Sequence, residues 1–313
     1  MKNTYKLTEG AILLAIFAVM LLITLYIPGL GLIVNFFLSL PFLMFGAKHD
    51  WKSTAVFTLA AVLLSMILGS FLAIPLALAF GTTGAVMGYM VREGKSRFAV
   101  YIAGSVVFLV NLVAQYALSI VLFNINFIDE MVTVFRSSVD QAINMLEQIG
   151  QTPDEKLIKQ FETMVDMIEV LVPSMFVMSS FFIVFLLQLA SFPFMKRFGI
   201  KVPVWPPFRE LNLPKSILWY YLITMIVALV MQPEQGTYWF WVISNLTFIL
   251  QMLMVLQGVS FVFYFSYIKG YSKAVPIIVL VLMFLLPFIL YIVRILGIID
   301  LGFDLRKRLG EKK

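Results

Sequence analysis

The stretch STAVFTLAAVLLSMILGSFLAIPLALAFGTTGAVMGYMV, residues 53–91, carries no charged side chain over a length that could cross a bilayer twice. A helix needs about 20 apolar residues to span a hydrocarbon core about 30 Å thick. Gly69 and Ser70 interrupt the run near its middle, where a turn between two helices would fall. The stretch therefore predicts two consecutive membrane-spanning helices, at residues 53–70 and 71–91.

Similar apolar runs make up most of the remaining sequence. Hydrophobic residues form 61% of the chain and charged residues only 13%, so most segments lack the polar face of a soluble helix. The runs are continuous rather than alternating, which favours helices. Nine are candidate spans: 10–27, 30–47, 53–70, 71–91, 98–123, 172–195, 216–232, 238–268 and 274–298. We predict an all-α polytopic membrane protein with eight or nine transmembrane helices, since the last run contains Pro276 and Pro287.

The basic residues predict which ends of the spans face the cytoplasm. With a cytoplasmic N-terminus, 14 of the 23 Lys and Arg residues fall on the inner side, at Lys2/Lys6, Lys48/Lys52, Arg92/Lys95/Arg97, Lys196/Arg197/Lys201/Arg209/Lys215 and Lys269/Lys273. The opposite turns at 28–29, 69–70 and 232–236 carry none, which predicts a bacterial plasma-membrane protein with its N-terminus inside. Nine spans would leave the basic tail from Arg306 outside, against this rule. The basic residues behind the net charge of +6 lie mainly at the ends of the spans, so we expect contact with the lipid bilayer and not with nucleic acid.

Two segments are predicted to lie outside the membrane. Residues 124–171 are predicted to form an extracytoplasmic helical hairpin of net charge −6, with a stop at Gly150 and a capping box at 152–155. It is either a lid or partner-docking element, or a solvated hairpin that buries its own apolar stripe. The cytoplasmic loop 199–215 has four prolines and cannot be helical, and it suits an interfacial anchor or partner recognition. The predicted domains are a six-span bundle with the hairpin at 1–198, the loop 199–215, and C-terminal membrane helices with a basic tail at 216–313.

The sequence offers little for catalysis. Cysteine is absent, and the single histidine, His49, lies in a loop and is predicted to be solvated. No paired carboxylates, Ser–His arrangement or phosphate-binding Gly-rich loop followed by Lys occurs. We therefore predict no enzyme, no catalytic residues, no metal and no cofactor.

Uncharged polar residues inside the spans are the candidate substrate-binding groups. Asn111, Gln115 and Ser119 share one face of the fifth span, and Asn35 and Ser39 form a shorter stripe in the second. Converging amides would suit a neutral or zwitterionic ligand that enters from outside. The alternative is hydrogen bonding between helices, worth about 0.5–2 kcal/mol per contact.

Small residues at four-residue spacing are candidates for close helix contacts. Ala11 and Ala15 form such a pair on the first span, and Gly84 and Gly88 form another on the fourth. Within one polytopic chain, this spacing more often reflects internal packing than a partner.

The whole chain resembles the YybS-like family of uncharacterised bacterial membrane proteins. The resemblance rests on Leu7–Ala11, Pro206–Arg209, Gln257–Gly258, and Leu296–Asp300 followed by Arg306–Arg308. It implies a membrane location and no established activity.

Residues 1–198 also resemble the substrate-binding S components of energy-coupling-factor vitamin transporters. That resemblance implies an S-component-like bundle of six spans, with Ala11 and Ala15 facing a coupling membrane subunit that works with ATPases. The first hypothesis is thus a small-molecule-binding transport subunit. The alternative is a non-transporting membrane partner or regulatory scaffold that acts through its hairpin and basic loop.

Overall fold

Residues 2–149 and 154–310 are described by the computed structural model, and their regular elements are all helical. The predicted stop at Gly150 and the start of the capping box lie outside these residues. The helices are α1 Lys2–Tyr26, α2 Pro28–Val34, α3 Leu40–Lys48, α4 Trp51–Arg92, α5 Arg97–Phe123, α6 Phe127–Gln148, α7 Glu155–Arg197, α8 Lys215–Met231, α9 Tyr238–Ile268, α10 Ala274–Leu285, α11 Pro287–Phe303 and α12 Leu305–Gly310.

The described helices confirm the all-α membrane class. Six segments are long and apolar enough to cross a membrane: Thr4–Tyr26, Pro28–Lys48, Trp51–Arg92, Arg97–Phe123, Ile158–Arg197 and Tyr238–Ile268. Helices α8 and α10 are shorter and also apolar. Large apolar side chains on these helices are exposed, as lipid-facing residues would be, for example Leu72 at 81% and Val230 at 76%.

Helix α4 consists of two antiparallel spans joined at Gly69 and Ser70. The helix breaks there, because Ser70 has a φ of 56° and Gly69 is also non-helical. A Cβ added at Gly81 would lie 3.4 Å from Thr58 Cγ2. An unbroken helix would separate those two residues by about 35 Å. The chain therefore reverses, which confirms the predicted turn.

Two compact units make up the described chain. The first contains the residues up to Glu130 together with Met175–Val204, and the second contains Met131–Ser174 together with the residues from Trp205 onward. The domain boundaries predicted at 198 and 215 are not tested by this packing and stay a prediction.

Aromatic rings and glycines pack the first unit. The ring of Phe42 meets those of Phe17 and Phe57 edge-on, at centroid distances of 5.0 and 5.4 Å. A Cβ at Gly84 would lie 2.6 Å from Ser39 O, and one at Gly88 would lie 2.5 Å from Leu43 O. The pair Gly84/Gly88 therefore serves internal packing, as its spacing within one chain predicts.

In the second unit, α11 crosses α9 at direct backbone contact. A Cβ added at Gly258 would collide with Val293 O, and one added at Gly297 would collide with Met254 O. Glycine is required at both positions because only hydrogen atoms fit between the two backbones.

The last apolar run, 274–298, is two helices rather than one span. Helix α10 ends at Leu285 and α11 begins at Pro287, with Leu286 extended between them. Lys215 Nζ lies 2.5 Å from Asp304 Oδ2, and Arg306 Nη1 donates to Arg209 O at 2.9 Å. These contacts place Asp304 and Arg306 beside Lys215 and Arg209, as expected if the basic tail and this part of the loop share one side of the membrane; the number of spans stays a prediction.

Candidate functional site

The Pro-rich loop packs on α9 through buried polar side chains. Ser260 Oγ lies 2.9 Å from Phe208 O and 2.8 Å from Leu211 O. Gln257 Oε1 accepts a hydrogen bond from Leu213 N at 2.9 Å. Gln257 and Ser260 are both fully buried. The loop is non-helical apart from a 3₁₀ turn at Phe208–Glu210, as its prolines predict.

A buried ion pair completes this arrangement. Arg306 Nε donates to Asp300 Oδ2 at 2.9 Å, and Gln257 Nε2 donates to the same oxygen at 2.5 Å. The other Arg306 nitrogens donate to Arg209 O and to Ser260 Oγ, so the guanidinium uses all three nitrogens. The Asp300 side chain is only 1% exposed and that of Arg306 13%. Asp300 Oδ1 has no hydrogen-bond partner among the described residues. We call Gln257, Ser260, Asp300 and Arg306 the polar cluster.

The polar cluster joins three stretches of sequence that carry the family resemblance. Pro206–Arg209, Gln257–Gly258 and Leu296–Asp300 are far apart in sequence, yet they meet here together with Arg306. The Arg209 guanidinium also lies 3.9 Å from the centre of the Tyr267 ring, a cation–π contact. The arrangement is suited to holding a loop in one shape. Among the described residues, no group of three or more His, Cys, Asp or Glu side chains could hold a metal ion.

The inner loops of the first unit are tied together by ion pairs. Glu9 binds Lys48 at 2.6 Å and His49 at 3.0 Å, and the Lys6 ammonium pairs with Asp50 at 2.8 Å. Hydrogen bonds from Lys6 and Ser53 hold the pKa of Asp50 well below its usual value. The His49 side chain is 13% exposed, so the expectation of a solvated histidine is wrong. Its carboxylate partner lies 40 residues away, beyond the reach of local patterns.

Further contacts bring other predicted inner loops to the same place. Arg92 Nη1 donates to His49 O at 3.0 Å, and Arg97 Nη1 donates to Pro203 O at 3.3 Å. The first unit thus gathers its inner loops at one end, as the predicted orientation requires. The side of the membrane on which that end lies stays a prediction.

The predicted substrate-binding stripe on α5 is occupied by internal hydrogen bonds. Asn111 Nδ2 donates to Thr82 Oγ1 at 2.9 Å, and Gln115 Nε2 donates to Pro75 O at 3.0 Å. Ser119 Oγ lies within hydrogen-bond distance of two carbonyls, those of Tyr116 and Ile125. These contacts match the interhelical alternative, and a binding role for the stripe stays a prediction.

The remaining predicted site residues differ in exposure. Ser39 is fully buried, and its Oγ, like Asn35 Oδ1, has no partner among the described residues. Ala11 and Ala15 are exposed on one face of α1. Within the described part of the chain, no hydrogen bond joins either pair to the α5 stripe, and their predicted roles remain untested.

The hairpin, formed by α6 and the start of α7, leaves its apolar stripe largely exposed. Val132 and Val165 are buried, and Arg136 bridges α6 to Asp166 of α7 at 2.9 Å. A hairpin that buried its own apolar stripe would cover this face of α6. Four side chains on the face are exposed instead, namely Met131 at 41%, Phe135 at 48%, Met145 at 66% and Ile149 at 69%. We call these four residues the hairpin face. Of the two alternatives for the hairpin, burial of its own stripe does not hold for these four residues, and docking of a partner stays a prediction.

Comparison with known proteins decides the family. A family model described as "Predicted membrane protein (DUF2232)" matches residues 15–301. The chain belongs to the DUF2232 family. It is also 33% identical over 309 residues to "Uncharacterized protein YybS" of Bacillus subtilis (strain 168), covering 98% of this chain and 99% of that protein. No solved structure matches this DUF2232 protein. The comparisons support the resemblance to YybS-like proteins and leave the S-component resemblance a hypothesis.

Sequence reasoning missed the polar cluster of this DUF2232 protein. Asp300 was available as a signal, because a carboxylate follows directly after the apolar residues 295–299. An acid at the end of a run normally marks the membrane interface, however, and nothing local shows that Arg306 turns back to it.

Proposed function

We propose that this DUF2232 protein is a non-enzymatic membrane scaffold that docks a protein partner through the hairpin face. The observation that carries the proposal is the exposure of Met131, Phe135, Met145 and Ile149 on one face of α6. Met131 and Phe135 are four positions apart, as are Met145 and Ile149, and the two pairs share one face of α6 with Ala142 between them. Contiguous exposed apolar side chains in a polar element are typical of interaction sites.

The charge of the hairpin selects the kind of partner. Residues 124–171 carry nine acidic and three basic side chains. Anionic lipid headgroups would repel such a segment, which argues against its lying on the membrane surface. A partner with an apolar groove and a basic rim complements both the stripe and its acidic border.

The immobilised loop supports the same proposal. Residues 208–213 are held by the polar cluster in one conformation, so little conformational entropy would be lost when a partner binds there. A scaffold of this kind would present two preformed surfaces, the hairpin face and the loop.

Site-specific photo-crosslinking tests the proposal. A benzophenone amino acid placed at Phe135 in native membranes should give one discrete crosslinked protein of higher mass. Phe135→Ser should abolish co-purification of that protein, whereas Phe135→Leu, which keeps an apolar side chain, should retain it. Crosslinks to lipid alone, to a second copy of this chain alone, or equal recovery with both variants would overturn the proposal.

A transport subunit of S-component type is the second candidate, supported by the exposed small-residue face at Ala11 and Ala15. Replacing both alanines with Leu adds volume where a coupling helix would approach, while it favours membrane insertion. The double variant should lose a co-purifying membrane subunit and ATPase. Recovery of neither protein with the unmodified chain would remove this candidate.

We further propose a bacterial plasma-membrane location with a cytoplasmic N-terminus, supported by the basic clusters that meet at one end of the first unit. Single Cys residues at Ser137 and Val204, both exposed, can be probed in this Cys-free chain with an impermeant thiol reagent. Only position 137 should react in intact cells. Reaction of position 204 instead would reverse the orientation.

A further inference from the structure

A cleft of about 530 Å³ lies in the second unit, between α7, the end of α8 and the first half of α9. Met167 and Leu171 line it from α7, Phe248 lines it from α9, and Gln232, Thr247 and Gln251 supply polar groups. Its volume is within the range of small-molecule sites, which are mostly apolar with a few placed polar groups. Neither the hairpin face nor the polar cluster contributes to this lining.

The lining carries no charged side chain. Its polar groups are amides and hydroxyls, and those on α9, Ser244, Thr247 and Gln251, share one face of the helix. Thr247 Oγ1 is buried and has no hydrogen-bond partner among the described residues. A buried hydroxyl without a partner is costly, so a rotation of the Thr247 side chain that lets an occupant of the cleft bond to it would be favoured.

The position of the cleft along α9 indicates where an occupant would come from. Tyr238, Trp239 and Trp241 are exposed in the first turn of α9, as expected of the aromatic belt at a membrane interface. The lining reaches from Pro233 and Phe240, at this end of α9, to residues 244–251, about 9–20 Å from Tyr238 along the helix. A molecule entering the cleft from the bilayer would therefore bring an apolar body, with a polar group for the hydroxyl and amides.

Asn245 joins α7 to α9 next to the cleft. Pro173 has no N–H group and interrupts the hydrogen bonding of α7. The Asn245 side chain bridges this turn, donating from Nδ2 to Val170 O at 2.7 Å and accepting from Ser174 N at 3.0 Å. Helices α7 and α9 are thereby held together beside the cleft, so the site is preformed.

We propose that this cleft binds an uncharged amphiphile, with an apolar chain and a hydroxyl or ester head, such as a neutral glycerolipid. An anionic or zwitterionic headgroup is disfavoured because no lining residue carries a compensating charge. The same chemistry could be supplied by a bilayer lipid or by a small amphiphile from the aqueous phase.

Photo-labelling of the full chain in phosphatidylcholine vesicles tests the site. A photoactivatable diacylglycerol should label residues of the cleft in a saturable manner, and Ala228→Phe, which fills the cleft, should lower the yield about tenfold or more. Leu229→Phe is the matched control, because Leu229 is 73% exposed on the same helix, and it should leave labelling unchanged. Equal labelling of both variants, labelling that does not saturate, or preference for a photoactivatable phosphatidylglycerol would overturn the proposal.

Thr247→Val keeps the test decisive if Ala228→Phe does not fold. Since the hydroxyl has no internal partner, this variant should keep or raise the melting temperature of the unliganded protein. It should lose the increase in melting temperature that dioctanoylglycerol gives the unmodified chain in detergent. A drop without added lipid, or an undiminished increase with it, would contradict the assignment. If labelling in vesicles saturates but dioctanoylglycerol does not raise the melting temperature of the unmodified chain, the occupant comes from the bilayer. If both assays respond, the cleft is also reached from water.

Discussion

Removing Arg306 should destabilise the second unit more than removing one partner of a surface ion pair would. In Arg306→Met, the buried Asp300 carboxylate loses its charged partner, and Arg209 O and Ser260 Oγ lose a donor. Breaking a buried pair by removing one partner costs about 3–5 kcal/mol. The matched control is Arg136→Met on the hairpin, where both partners are more than half exposed. That pair should contribute about 0–1 kcal/mol.

The free energy of unfolding is measured on the full chain in mild detergent by titration with sodium dodecyl sulfate. Arg306→Met should lower it by about 3–5 kcal/mol, and the peptide bond after Arg209 should become sensitive to trypsin. The double variant Asp300→Leu/Arg306→Met removes both charges and should recover most of the loss. A loss no larger than that of Arg136→Met, or a double variant whose loss equals the sum of the single losses, would refute the buried pair.

Four further changes test the same structure. Gly258→Ala should cost about 1–3 kcal/mol of unfolding free energy because its Cβ meets a backbone carbonyl, whereas Gly302→Ala, where the nearest atom is 3.5 Å away, should be neutral or stabilising. Asn245→Asp removes the donor to Val170 O and should lower the melting temperature. Asn245→Gln keeps the amide on a longer side chain, so it should lower the melting temperature equally only if the bridge depends on side-chain length. Gln115→Leu should lower the melting temperature of the unliganded protein if the stripe joins α5 to Pro75 O, and leave it unchanged if the amide serves a ligand. The hydrogen bond from Lys215 lowers the pKa of Asp304. The stability that this pair contributes is therefore present above the usual carboxyl pKa of about 3.9 and is lost as pH falls through the lowered pKa. The difference in melting temperature between the unmodified chain and Asp304→Asn should thus vanish in acid.

The features that the sequence predicted well are those that local properties determine. The length of an apolar run gives a span, and Gly69–Ser70 gives a turn because both residues disfavour the interior of a helix. The small-residue pair Gly84/Gly88 is likewise explained by internal packing. In each case the residues that carry the signal are neighbours in sequence.

The features that the sequence could not predict depend on residues far apart. Arg306 meets Arg209 across 97 positions, and Gln257 meets Asp300 across 43. The environment of His49 could not be predicted for the same reason, since its partner Glu9 belongs to another helix. A single polar residue at the end of an apolar run has the same sequence pattern whether water or a buried partner satisfies it, so periodicity cannot separate the two cases.

The composition of the polar cluster follows from the backbone that it covers. A loop with several prolines cannot satisfy its N–H and C=O groups by forming a helix, and a buried backbone group without a partner is costly. Here the Ser260 hydroxyl on α9 can donate to either of two loop carbonyls, Gln257 accepts from Leu213 N, and Arg306 donates to Arg209 O. Asp300 in turn neutralises the guanidinium that performs this task. The buried charges are thus explained by the shape of the loop, and a scaffold that presents this loop to a partner would need that shape to persist before the partner arrives.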